Sequence, residues 1–271
     1  MTATATAAER RPAPTRSTSL LPAVQHSWTM AWRHLVKLRL SPQIIALSAI
    51  QQVVMLLVFM LIFGGAVSGN RGEYLEFLLP GILAQNLAFA ISASASAIQN
   101  DIRKGIFDRF RSLPIARSAP LVGHIVGDLP RLALATMVVV LVAIACGFRI
   151  RTGPLELLLA LALILLMAIA FSWVAATVGL LAKRPESVSM MSLLIMLPLA
   201  FGSNALVPTT SLPGWFQSWV RINPLTHLSD ALRSLLTGPV ETRPMVLTVI
   251  SAAVVILVFA PLAIRAYARR L

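Results

Sequence analysis

The chain has 271 residues, of which 57% are hydrophobic and 12% charged, with a mean hydropathy of +0.81. Soluble domains carry about 25% charged residues, so this composition excludes an ordinary soluble globule and a disordered chain and points to an integral membrane protein. Lys and Arg total 23 against 10 Asp and Glu, a net charge of +13; most of these cations flank apolar runs, so they read as membrane-topology determinants, and no nucleic-acid partner is expected.

Residues 1–22 are rich in Ala, Thr, Ser and Pro and carry Arg10, Arg11 and Arg16. They cannot bury a core, which predicts a disordered cytoplasmic tail. The first long apolar run begins only near Ile44, so neither a cleavable signal peptide nor a twin-arginine signal is expected. Within residues 23–40, Val24, Trp28, Ala31, Leu35 and Leu38 recur at helical steps, with His26, Arg33 and Lys37 on the other side. This is the pattern of an interfacial helix lying on the membrane; the alternative is a plain basic juxtamembrane segment. Ser41-Pro42 breaks the chain before the first span.

Apolar runs of spanning length lie at about 44–64, 75–98, 125–147, 155–182, 188–208 and 245–264, each able to cross roughly 30 Å of hydrocarbon. Asp128, Pro130 and Arg131 interrupt the start of the third; Asp128 and Arg131 stand at i,i+3, where they can pair. Cys146 lies within the same run and is read as packing; as the single cysteine it excludes an intrachain disulfide. Polar side chains inside the runs are candidate pathway residues: Gln51, Gln52, Gln85, Asn86, Ser203 and Asn204. Taken singly, each is equally served by an interhelical hydrogen bond.

With alternate connections on opposite sides, sixteen Lys and Arg fall on the side of the N-terminus and six on the other, leaving Arg131 at a border. The asymmetry predicts six crossings with both termini in the cytoplasm. The sequence has no G-x-x-x-x-G-K-[ST], no H-E-x-x-H and no G-x-S-x-G, and its four histidines are scattered. Catalytic chemistry, a metal site and a bound cofactor are therefore not expected in this chain.

The connection at 99–120 is expected to form a short amphipathic cytoplasmic helix ending before Pro114. Ile106, Phe107, Phe110 and Leu113 make its apolar stripe, and Asp101, Arg103, Lys104, Asp108, Arg109 and Arg111 its charged surround. Two phenylalanines in a basic helix suit a partner's groove; the alternative is a helix resting on the lipid surface. On the far side, 212–220 is aromatic and amphipathic, with Trp215 and Trp219 placed for headgroup depth. Asn223-Pro224 is a turn, and Leu225, Leu228, Leu232 and Leu235 then form a second stripe. Two short helices hinged at Asn223-Pro224, both apolar faces in the outer leaflet, are expected; the alternative is a surface anchor.

The runs Tyr74-Leu-Glu-Phe-Leu-Leu-Pro-Gly-Ile-Leu83 and Gly105-Ile-Phe-Asp-Arg-Phe-Arg-Ser-Leu-Pro-Ile-Ala116, with Leu212-Pro-Gly-Trp215 and Asn223-Pro-Leu-Thr-His-Leu-Ser-Asp-Ala-Leu-Arg233, resemble the membrane subunit of type 2 ABC exporters. The resemblance covers about residues 24–265 and is strongest to the daunorubicin/doxorubicin-resistance-like permeases of actinobacteria. It implies an all-α integral membrane fold over residues 23–271, in the cell membrane, with six transmembrane helices, an N-terminal interfacial helix, a cytoplasmic coupling helix and an extracellular re-entrant helical hairpin. It also implies a dimer, with itself or a homologous permease, paired with two copies of a separate ATPase subunit that binds ATP and Mg. Asp101, Arg103, Phe107, Arg109, Phe110 and Arg111 would meet that ATPase, and Trp215, Trp219, Asn223 and Pro224 would shape the exit. The function so implied is export of hydrophobic or amphipathic compounds: drug, antibiotic or lipid. The alternatives are export of a lipid-linked glycan and a non-transporting membrane scaffold.

Overall fold

The computed structural model describes residues 42–67, 71–105, 119–209 and 213–270. The tail, the interfacial helix at 23–40 and residues 106–113 of the coupling segment lie outside the described residues.

Among the described residues there are eight helices and no strand: α1 Pro42–Val67, α2 Arg71–Arg103, α3 Ala119–Ala145, α4 Pro154–Leu181, α5 Pro185–Phe201, α6 Gly214–Ile222, α7 Pro224–Leu236 and α8 Thr242–Arg270. Four of them start on proline, whose missing N–H and fixed φ suit the first helical position. α2, α3, α4 and α8 are long and apolar enough to cross a membrane, α1 is apolar over Ala49–Gly65, and α5, Pro185–Phe201, is a shorter apolar helix.

α2 is the central rod. It packs against α1, α3, α4, α5 and α7, and 78% of its apolar window is buried, against 17% for α8 at the periphery. Its contacts fix the relative directions of its neighbours. Ser94 and Asp101 of α2 meet Asp128 and His124 of α3, a descending register, so α2 and α3 are antiparallel. Gly179 of α4 lies against Ala95 and Ile98 of α2, and Thr177 of α4 donates to the Phe259 carbonyl of α8 at 3.2 Å. Tyr74 at the start of α2 donates to the Leu206 carbonyl at 3.3 Å. The α6–α7 pair therefore sits at the pole where α2 begins, and the opposite pole holds the ends of α2, α4 and α8.

Helix bounds depart from the apolar runs in four places. α2 runs on through Arg103, so Gln99–Arg103, read above as the opening of a separate coupling helix, is its last turn. α3 starts at Ala119 and takes Asp128, Pro130 and Arg131 inside the helix, because their charges are paired within the protein. α5 stops at Phe201, well short of 208: the side chains of Asn223 and Trp219 take up its last carbonyls, which ends the ladder. α8 continues to Arg270, past the apolar run at 264.

Candidate functional site

The end of α5 is closed by side chains from the α6–α7 pair. Asn223 stands between those two helices and caps α7, its Oδ1 accepting from the Leu225 N–H at 2.9 Å. Its Nδ2 donates to the carbonyls of Gly202 at 2.7 Å and Leu199 at 2.9 Å. Trp219 Nε1 reaches the Pro198 carbonyl at 3.3 Å. Carbonyls at a helix C-terminus have no intrahelical donor, so one buried asparagine satisfies two helix ends at once. The Asn223 side chain holds the turn, with Asn223 extended before Pro224 and Pro224 as the first residue of α7.

A second set of bonds ties α7 to α2 and to the 202–209 linker. The Arg233 guanidinium donates to the Phe77 carbonyl at 3.1 Å, to Asp230 Oδ1 at 2.8 Å and to the Asn204 carbonyl at 2.7 Å, and lies 3.9 Å over the Phe77 ring, a cation–π contact. Asn204 Nδ2 donates to Asp230 at 2.7 Å, and Ser229 donates to Asn204 Oδ1. The close packing extends to Gly81, where a Cβ would lie 2.0 Å from the Ala205 carbonyl oxygen. Asp230 and Arg233 were not singled out from sequence; their i,i+3 spacing was the available signal.

The structure also corrects the placement of the leucine stripe. Leu225, Leu228, Leu232 and Leu235 are fully buried in the protein core, where α7 packs on α2, α4 and α8, so this face does not enter a lipid leaflet. On α6, by contrast, Trp215 is 79% and Trp219 47% exposed.

At the opposite pole, α2 and α3 are joined by a ladder of charged and polar groups. Arg131 clasps Asp128 through Nε at 2.6 Å and Nη2 at 2.9 Å, the two-pronged geometry of a strong charge-assisted pair. Ser94 of α2 donates to Asp128. About two turns further along α2, Asp101 is buried with an oxygen 4.0 Å from His124 Nδ1. Asp101 therefore faces α3, while Arg103, two residues on, is exposed. Phe107, Arg109, Phe110 and Arg111 lie outside the described residues.

The six polar span residues do not form one group. Ser203 and Asn204 fall past the end of α5 in the linker; Ser203 donates to the Ala200 carbonyl at 2.9 Å, and Asn204 is engaged as above. Gln51 is exposed on α1, whereas Gln52, Gln85 and Asn86 are buried. Gln85 has neither side-chain end bonded, and Gln52 Oε1 and Asn86 Nδ2 also lack a partner among the described residues. A buried unmet amide group costs about 1–3 kcal/mol, so these three, on α1 and α2, are the part of the set whose bonding capacity the fold leaves open.

Residues 25–237 match the family described as ABC-2 type transporter. The chain belongs to that family. It is 34% identical over 260 residues to the daunorubicin resistance ABC transporter permease protein DrrB1 of Streptomyces coeruleorubidus, covering 94% of this chain and 88% of that protein. It is 27% identical over 183 residues to the doxorubicin resistance ABC transporter permease protein DrrB of Mycobacterium tuberculosis, covering 68% of this chain and 63% of the relative. It is 28% identical over 161 residues to the probable doxorubicin resistance permease DrrC of the same species, covering 59% and 58%. Membership of the ABC-2 family and the four long apolar helices among the described residues make this a multi-pass membrane protein, helical and without strands where it is described.

Proposed function

We propose that this ABC-2 family chain is the membrane-spanning permease subunit of an ATP-driven exporter for hydrophobic or amphipathic compounds: drug, antibiotic or lipid. The observation that carries the reading is the 34% identity to a drug-resistance permease across 94% of the chain. In this reading residues 23–271 form a transmembrane domain of six crossings, with α1 and α5 as the remaining two spans, and residues 1–22 a cytoplasmic tail. Both termini are cytoplasmic, as the sixteen-to-six distribution of Lys and Arg supports. Two permease chains, identical or homologous, pair with two copies of an ATPase subunit, which binds ATP and Mg; this chain holds neither and catalyses no reaction. The segment with Phe107 and Phe110 meets the ATPase, and Asp101 holds the last turn of α2 against α3 behind it.

The cargo passes the unmet amides of Gln52, Gln85 and Asn86, whose open hydrogen bonds suit the polar groups of an amphipathic molecule. Exposed Gln51 faces the second subunit, and Ser203 and Asn204 hold the outer mouth. The α6–α7 pair forms the re-entrant exit element, with Trp215 and Trp219 at the headgroups and Asn223 and Pro224 at its bend. The test is ATP-dependent uptake into inside-out vesicles containing this chain and a co-expressed P-loop ATPase subunit from the same organism, with a panel of lipophilic dyes and labelled lipids. Accumulation of one class, lost with an ATPase defective in its P-loop, is expected. Wild-type ATPase binding without movement of any compound would favour a scaffold.

A further inference from the structure

Buried polar and charged groups join α2 to α3 where apolar side chains would pack without a desolvation cost. Ser94 and Asp101 stand seven residues apart on α2, and His124 and Arg131 seven residues apart on α3. Arg131 Nη2 donates to Ser94 Oγ at 3.5 Å, and His124 Nδ1 lies 4.0 Å from Asp101 Oδ2. The two rungs therefore keep one antiparallel register over about 10 Å of helix. Between them Asp128 accepts from Ser94 and from both prongs of Arg131. Ser94, Asp101, His124 and Arg131 are all buried, and Ile98 of α2 and Leu121 of α3 share one apolar cluster at this end of the bundle.

This ladder stands at the base of the connection between the two helices. Continuing its register sets Gly105 level with Pro120, so the chain leaves α2 and enters α3 at one depth. The α2 end is closed by Gly105, whose φ of 65° is left-handed and whose N–H is bonded to the Ile102 carbonyl at 3.0 Å. That cap fixes the direction in which the chain departs. The Asp101–His124 rung lies only four residues before Gly105 and five after Ala119. A buried ion pair is weak evidence for stability and is best attested as a device that sets register. Apolar ridges can slip by a notch, whereas the two-pronged bond of Arg131 to Asp128 has one geometry.

We propose that Asp101, His124 and the Asp128–Arg131 pair are positioning residues for energy coupling. They lock the facing ends of α2 and α3 in one register, so that a displacement of the connecting segment moves both helices as one body. Without the lock, the same displacement parts the two helix ends and dies out before it reaches Gln85 and Asn86 of α2. None of the four residues touches cargo or ATP, and Asp101 supports the ATPase contact from behind instead of forming it. The role goes beyond the exporter reading and rests on it.

The test measures transport and ATP hydrolysis together in inside-out vesicles holding this chain and its ATPase subunit, with the lipophilic dye or labelled lipid that wild type accumulates. Co-purification of the ATPase and the thermal midpoint are read on the same preparations. Asp101→Asn keeps the shape and removes the charge; Asp128→Leu/Arg131→Met replaces the pair by apolar side chains. Both are expected to keep ATPase binding and hydrolysis but to move about tenfold less compound per ATP, an ordinary size for coupling between sites. A merely structural pair predicts full coupling in the apolar variant once it is stably folded. In a Cys146→Ala background, Asp101→Cys/His124→Cys should show the same loss, and joining the two thiols with a short bifunctional methanethiosulfonate should restore coupling until a reductant frees them. Asp101→Asn and the cross-linked pair give the reading if the apolar variant does not fold. Three results overturn the proposal: unchanged transport per ATP in these variants, loss of ATPase co-purification, which makes the ladder part of the docking surface, or arrest of transport by the cross-link, which shows that α2 and α3 must part. Wild-type vesicles that move no compound refute the exporter reading and this role with it; wild-type transport with unaltered variants refutes the role alone.

Discussion

The side-chain amide of Asn223 is bonded to the carbonyl of Gly202 at 2.7 Å, across a sequence gap of 21 residues. Through its other end it caps α7. One residue therefore sets both where α5 stops and where α7 starts, and it brings the linker at 202–209 over the start of α2.

Asn223→Ala removes an N-cap, worth about 1 kcal/mol, and leaves buried carbonyls at the end of α5 unmet, at about 1–3 kcal/mol. A loss of at least about 2 kcal/mol is expected in thermal unfolding of the purified protein. Pro224→Ala keeps the cap and should cost under about 1 kcal/mol. The reverse order would show that the proline, rather than the asparagine, makes the bend.

Gly81→Ala places a methyl group 2.0 Å from the Ala205 carbonyl oxygen, a backbone atom that cannot swing aside. α2 and the linker must part, so a drop in midpoint of several degrees and reduced transport are expected. At Gly65 a Cβ meets nothing within 4 Å, and Gly65→Ala should be neutral or stabilising through helix propensity. Equal midpoints for the two variants would mean that the close approach at Gly81 is not needed.

Breaking one side of a buried ion pair commonly costs about 3–5 kcal/mol, more than replacing both partners by apolar groups. Asp128→Asn and Arg131→Met should therefore each destabilise the protein strongly. Asp128→Leu/Arg131→Met should recover much of that loss, with Ser94 then left without its acceptor. Thermal unfolding of all three reads the coupling; additive single-variant effects would rule out the pair as a unit.

Membrane sidedness is accessible to cysteine labelling. In a Cys146→Ala background, Ser68→Cys and Ser112→Cys should react with an impermeant reagent from opposite sides of the membrane. Reaction from the same side would refute the six-crossing topology.

Phe107→Ala/Phe110→Ala should insert normally yet lose co-purification of the ATPase subunit and lose transport, since buried interface aromatics often carry about 2 kcal/mol or more each. Retained co-purification at wild-type level excludes the coupling role for these two residues.

The sequence by itself determined that this is a multi-span helical membrane protein of the ABC-2 type. Length of apolar run, cation asymmetry and the order of a few motifs are local or additive properties, and they need no knowledge of which helices touch. It also gave the Asp128–Arg131 pair and the break at Asn223–Pro224, because both are short-range in sequence. Tertiary structure alone decided what those residues touch. The apolar stripe of α7 looks the same from sequence whether lipid or protein covers it, and the fold buries it on α2 and α4. Ser203 and Asn204 sit in an apolar run, yet they lie beyond the helix because Asn223, far along the chain, takes the carbonyls that end it. Asp101 reads as part of a cytoplasmic helix until α3 is seen to place His124 beside it. In each case the deciding partner is 20 or more residues away, and the side chain's own neighbours in sequence carry no trace of it.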